Sequence, residues 1–165
     1  MTPDVLRRLP ILQGRSDAQL DAVSAVLVRR RVSGGVAIVG EGERSSSLYV
    51  LTAGSVGTTK RLGLAAQAPA DAARQKVLVP LAVPQFSGET GLLSDLERSA
   101  TITTGGDREL LELRRQDFDR LVPRDAALGY RLVRNIAVVL AERLRRTDLD
   151  VLKLTTAPSL ALGNR

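Results

Sequence analysis

The sequence predicts a mainly β fold with flanking helices: one double-stranded β-helix, a jelly-roll-like β-roll, with N-terminal helices before it and a long C-terminal helix after it. Three observations predict this. Short runs of β-forming residues, punctuated by glycine, fill positions 28–114. Helical spacing of apolar residues occurs only before and after that stretch. The 165 residues, 44% of them hydrophobic and 25% charged, suffice for one domain with a proper core and are few for two. The expected division is helices over 1–27, the roll over 28–114, helices over 115–154 and a loose tail over 155–165.

Each element has a local reason. Asp4 to Leu9 has room for a turn or two of helix before Pro10. Ser16, with Gln19 three residues on, reads as a capping box opening a helix that carries Leu20, Val23 and Val26. From Val28 the pattern becomes β: Val28, Arg30 and Val32, then Val36 and Ile38, alternate around the Ser33-Gly34-Gly35 turn. Leu48 to Leu51 is a strand of β-formers, and Ser55 to Lys60 returns after Ala53-Gly54. Arg61 to Lys76, alanine-rich with Pro69 inside it, lengthens this hairpin and is expected as a surface loop with one helical turn at 71–74. Val77 to Val83 is β-branched but interrupted by Pro80. Ser99 to Thr104 and Leu110 to Leu113 close the roll around a Gly105-Gly106-Asp107 turn. Gln116 to Val122 reads as a short helix, and Asp125 to Leu154 as a long one with Leu128, Leu132, Ile136, Leu140 and Leu144 on one stripe.

Composition removes several function classes. There is no cysteine and no histidine, so disulfides, thiolate metal sites, histidine bases and most zinc or iron centres are out, and an enzyme is not expected. Two Phe and two Tyr leave little for stacking single-stranded nucleic acid. The net charge of +6 invites an acidic partner, but the arginines are scattered, which argues against nucleic acid. No stretch approaches the roughly 20 apolar residues of a membrane span, and none reads as a signal peptide, so a cytoplasmic protein is expected.

The chemistry concentrates in residues 86–101. Phe86-Ser87-Gly88-Glu89-Thr90 places a Gly-Glu step at the start of a short apolar helical turn, and Arg98-Ser99-Ala100-Thr101 follows. Backbone N–H groups at a helix start attract anions, and an arginine adds a permanently charged planar fork. Glu89 is left to accept hydrogen bonds from hydroxyls. A phosphate beside a hydroxyl-bearing sugar describes a nucleotide. The alternative for Arg98 and Glu89 is a mutual salt bridge between two loop residues.

In this order and spacing the chain resembles the cyclic nucleotide-binding domain family, the sensor module of catabolite-activator-type regulators and protein kinase A regulatory subunits. Gly35-Val36-Ala37-Ile38, Glu41-Gly42-Glu43 and Leu48-Tyr49-Val50-Leu51-Thr52-Ala53-Gly54-Ser55-Val56 match its first half, and residues 86–101 its phosphate-binding cassette. The resemblance implies that the backbone of Gly88, Glu89 and Thr90 holds the cyclic phosphate, with Phe86, Ser87 and Ala100 lining the cassette. Arg98 then pairs with the phosphate, Ser99 adds a hydroxyl donor, and Glu89 accepts the ribose 2′-hydroxyl. It further implies that Arg143 stacks on the base while Thr147 meets its edge from one chain or its partner. Asp148 departs from the small hydroxyl residue of the family and leaves both adenine and guanine open. Val83-Pro84-Gln85 also replaces the usual glycine-rich turn before the cassette.

The expected function is a stand-alone regulatory module that binds cAMP, or else cGMP, and signals through movement of the C-terminal helix. Its expected partners are the cyclic nucleotide, a second copy through that helix, and an effector protein. Only 11 residues follow Leu154, too few for a helix-turn-helix domain. The alternatives are a roll that binds proteins without nucleotide and, third, DNA binding through the basic surface.

Overall fold

The computed structural model describes residues 3–51, 56–61, 75–78 and 85–162, with side chains over 4–51 and 86–152. The order is α1 (Pro3–Arg7), a 3-10 turn (Pro10–Leu12), α2 (Asp17–Val26), β1 (Val28–Val32), β2 (Ala37–Val39), β3 (Ser47–Leu51), β4 (Val56–Arg61), β5 (Gln75–Leu78) and β6 (Gln85–Ser87). The chain continues through α3 (Glu89–Leu93), β7 (Thr101–Thr104), β8 (Arg108–Arg114), α4 (Arg115–Leu121) and α5 (Ala126–Leu162). The expected mainly β roll with flanking helices is the fold observed.

The strands form two antiparallel four-stranded sheets, in the orders β1-β8-β3-β6 and β2-β7-β4-β5. The first is a middle layer. Leu48 and Val50 of β3 and Leu111 and Leu113 of β8 join a cluster with the helical Leu20, Leu128, Leu132 and Ile136. The alternate residues Leu51 and Leu110 pack inside the roll with Val39 and Ile102. A strand buried on both faces needs no polar alternation, which is why Leu48 to Leu51 reads as an unbroken β-forming run. Edge strand β1 presents Arg29, Arg30 and Arg31 to solvent, charges that discourage pairing with another sheet.

The helix starts are set by side chains. Ser16 Oγ accepts from the Gln19 N–H at 3.3 Å and Gln19 Oε1 accepts from the Ser16 N–H, forming the expected capping box. The Gln19 side-chain amide also donates to Asp125, whose other carboxylate oxygen accepts from the Leu128 N–H at 2.9 Å at the start of α5. Asn135 of α5 donates to the Ile11 carbonyl, so the N-terminal half of α5 is seated on the 3-10 turn.

Most boundaries shift by one or two residues from the sequence reading, and two differences matter more. Backbone helix continues to Leu162, through Pro158, where a loose tail is expected after Leu154. A proline inside a helix costs about 3 kcal/mol, through one lost N–H donor and a clash with the carbonyl four residues back, yet the backbone helix runs on past it. The hairpin strands also reach further into the insertion, with Lys60 paired to Lys76 and Arg61 to Gln75. The expected turn at 71–74 and the Pro80 and Val83-Pro84 segments lie outside the described residues.

Candidate functional site

The site is built where β6 gives way to α3. Phe86 and Ser87 pair with Val50 and Tyr49 of β3, which fixes the register of the chain as it enters the cassette. Gly88 then turns it with φ of 91°, in the left-handed region. A side chain there would meet the Arg98 guanidinium and, at 2.7 Å, the Ser47 carbonyl. Glycine is needed on both counts.

Arg98 is placed by its own backbone. Its N–H donates to the Glu43 carbonyl and its carbonyl accepts from the Gly42 N–H, both at 2.9 Å. The side chain runs inward and is 4% exposed. Nη2 donates to Ser45 Oγ at 2.8 Å and to the Ser47 carbonyl at 2.6 Å, and the guanidinium carbon lies 5.8 Å from the centre of the Tyr49 ring. Nε and Nη1 are buried with no hydrogen-bond partner among the described residues. Burial pushes the Arg98 pKa down from its ordinary value, against the smaller opposing pull of Tyr49, Glu89 and Glu43.

Glu89 opens α3 and is 8% exposed. It forms no salt bridge with Arg98. Its Oε1 accepts from Arg143 Nη1 of α5 at 2.9 Å, and its Oε2 is buried without a partner among the described residues. Arg143 Nη2 donates to the Phe86 carbonyl at 2.9 Å, with the guanidinium 5.0 Å from the Phe86 ring centre. The residue expected against the base is therefore seated on the carboxylate expected at the ribose.

The structure thus gathers Phe86, Ser87, Gly88, Glu89, Thr90, Arg98 and Arg143 around one spot. It does not bring in the others. Ser99 is exposed and Ala100 half-buried beyond Arg98. Thr147 is exposed and donates back to the Arg143 carbonyl at 3.1 Å, and Asp148 is exposed on the next position of α5. Sequence reasoning missed Ser45, Ser47 and Tyr49, the residues that hold Arg98. Three serines in a row mark no site by themselves, and nothing local ties two of them to an arginine 51 to 53 positions away.

The family model described as the cyclic nucleotide-binding domain matches residues 29–125. The chain belongs to the cyclic nucleotide-binding domain family. The match contains the cassette and Arg98, whereas Arg143, Thr147 and Asp148 lie beyond it. The chain is 30% identical over 142 residues to the Cyclic AMP receptor protein of Thermus thermophilus, a match covering 86% of this chain and 60% of that protein. It is 26% identical over 117 residues to a cAMP-dependent protein kinase regulatory subunit of Yarrowia lipolytica, covering 71% of this chain and 28% of that one. The crystal structure of the Thermus thermophilus Catabolite Activator Protein superposes with a TM-score of 0.74 at 29% identity, over 88% of this chain and 63% of that one. The chain therefore spans less than two thirds of the length of these relatives.

Proposed function

We propose that this cyclic nucleotide-binding domain is a regulatory module, not an enzyme, that binds cAMP in preference to cGMP. One observation carries the reading: Arg98 is a nearly fully buried cation with two nitrogens that find no acceptor among the described residues, beside a buried Glu89 oxygen that finds no donor among them. Buried polar groups are rarely left unpaired, and an unpaired buried charge is the costliest kind. A ligand carrying an anion and a hydroxyl supplies both missing partners at once. The phosphate then takes Arg98, with the Gly88–Thr90 backbone alongside, and the ribose 2′-hydroxyl donates to Glu89. The two relatives' names, a cyclic AMP receptor and a cAMP-dependent kinase subunit, favour adenine.

Signalling through α5 follows from Arg143. A nucleotide arriving at Glu89 shares or displaces the Arg143 contact, and the C-terminal half of α5 moves in response. Thr147 and Asp148 then meet the base edge from this chain or from a partner. Tyr130, Val133, Ala137, Leu140 and Leu144 recur at alternating steps of three and four, the seam of a coiled coil, and Leu144 is 63% exposed. A second copy of the chain fits that seam.

Titration calorimetry with cAMP and cGMP tests the ligand, using Arg98→Met as the control. Wild type should bind cAMP more tightly, and the variant should lose about tenfold to a hundredfold in affinity. No binding of either nucleotide at high micromolar concentration, or equal binding by the variant, ends the proposal. Sedimentation equilibrium tests the seam: Leu144→Glu should turn a dimer into a monomer.

A further inference from the structure

Arg115 stands where three pieces of chain meet, and nothing in the local sequence marks it. Its Nε donates to the Leu92 carbonyl at 3.1 Å, and its Nη2 to the Gly91 carbonyl at 2.8 Å and to that of Ser94. Its Nη1 pairs with Asp95. These oxygens lie at and just beyond the C-terminal end of α3, where carbonyls lack intrahelical partners and a cation is favoured. The Arg115 N–H donates to the Ser46 carbonyl at 2.7 Å. Ser46 lies between Ser45 and Ser47, the two residues that hold Arg98. Finally, Arg115 is the first residue of α4, which leads through residues 122–125 into α5.

We propose that Arg115 is a positioning residue for the nucleotide. It keeps α3 and the serine loop in the relative placement that Glu89 and Arg98 need, and it passes displacement of α3 on to α4 and α5. The inference rests on the cyclic-nucleotide reading of the site. Its physical basis is that a helix of five residues does not hold itself. The cassette is also packed against the loop without slack, because a side chain at Gly91 would overlap the Ser45 carbonyl. A planar fork reaching three carbonyls fixes both the position and the rotation of α3. Lysine, a compact charge on a flexible stem, reaches fewer at a time.

The test uses the full chain with Arg115→Met and Arg115→Lys, read by amide hydrogen exchange, calorimetry with cAMP and a distance probe. Without nucleotide, Arg115→Met should speed exchange of the Leu92 and Ser94 amides, which bond to the Gly88 and Thr90 carbonyls, while the β1–β8 ladder stays protected. Its cAMP affinity should fall about tenfold, with Arg115→Lys in between. Because the chain has no cysteine, spin labels at Leu96→Cys and Leu149→Cys, with the labelled chain diluted in unlabelled protein, report one distance between the cassette side and the C-terminal half of α5. At saturating cAMP that distance should change in the otherwise wild-type chain and not in Arg115→Met. Unchanged α3 exchange, wild-type affinity and distance response in Arg115→Met, or protection lost evenly across the β1–β8 ladder overturns the proposal. If the wild type binds no cyclic nucleotide, the nucleotide reading falls, and the exchange measurement still decides whether Arg115 holds α3.

Discussion

Among the described residues three charged side chains are buried, Glu89, Arg98 and Glu112, and the last two are treated differently by the protein. Glu112 on β8 is 5% exposed and fully answered. It accepts from Ser47 Oγ at 2.7 Å and from Arg30 Nε at 2.8 Å, with Arg114 Nε at 3.7 Å. Arg98 is as buried, yet it has two bonds to neutral oxygens from a single nitrogen and an aromatic neighbour. Ser47 serves both sites, with its hydroxyl on Glu112 and its carbonyl on Arg98. Burial alone would push the Glu112 carboxyl up, but the Ser47 and Arg30 hydrogen bonds and the charges of Arg30 and Arg114 hold it below the usual range. Arg98 is pushed the unfavourable way, downward, by burial. One site is closed by the protein itself; in the proposed reading the other is completed by an anion from outside.

Substituting each charge should separate them, and the largest effect belongs to Arg98. Beyond its loss of cAMP binding, Arg98→Met should leave the nucleotide-free domain within about 1 kcal/mol of wild type in urea unfolding, because an uncompensated buried charge contributes little to stability. A large loss of stability with retained binding would reverse the comparison. Glu112→Gln should do the opposite: it should cost about 1–3 kcal/mol and leave cAMP affinity unchanged.

The pH dependence sharpens the second half. The folded-state pKa of Glu112 lies below its ordinary 4.5, so its stabilisation is present above that value and is lost as pH falls through the folded value. The stability gap between wild type and Glu112→Gln should therefore shrink in urea titrations taken from about pH 5 downward. A gap that widens on acidification would mean that the carboxylate is not held by its partners. The smallest effect is expected at Tyr49, whose ring lies beside the Arg98 guanidinium. Tyr49→Leu should weaken cAMP binding about two- to fivefold, the scale of one cation–π contact.

How much was legible beforehand depended on distance along the chain. The capping box at Ser16 and Gln19 was readable because its partners are three residues apart. The unbroken run at Leu48 to Leu51 could be read as a strand, but not as the middle layer between helices and a second sheet. Residues 86–101 could be read as a site for phosphate and sugar, since a Gly-Glu step and an arginine lie within ten positions of each other. The partners of those side chains could not. Glu89 meets Arg143 across 54 positions, and Arg115 meets Gly91 across 24, only because strand register and helix packing bring them together.

The sequence by itself determined the order of helix, strands and helix, since periodicity and turn chemistry act locally on the backbone. It also supplied the residue types that the proposed phosphate and sugar would meet. Only the tertiary structure decided that Arg98 is buried with donors to spare, that Arg143 sits on Glu89, and that Arg115 ties the cassette to α4. A polar side chain's partner is chosen by what the fold places within hydrogen-bonding reach, and that reach is a property of the packed layers, not of neighbouring residues.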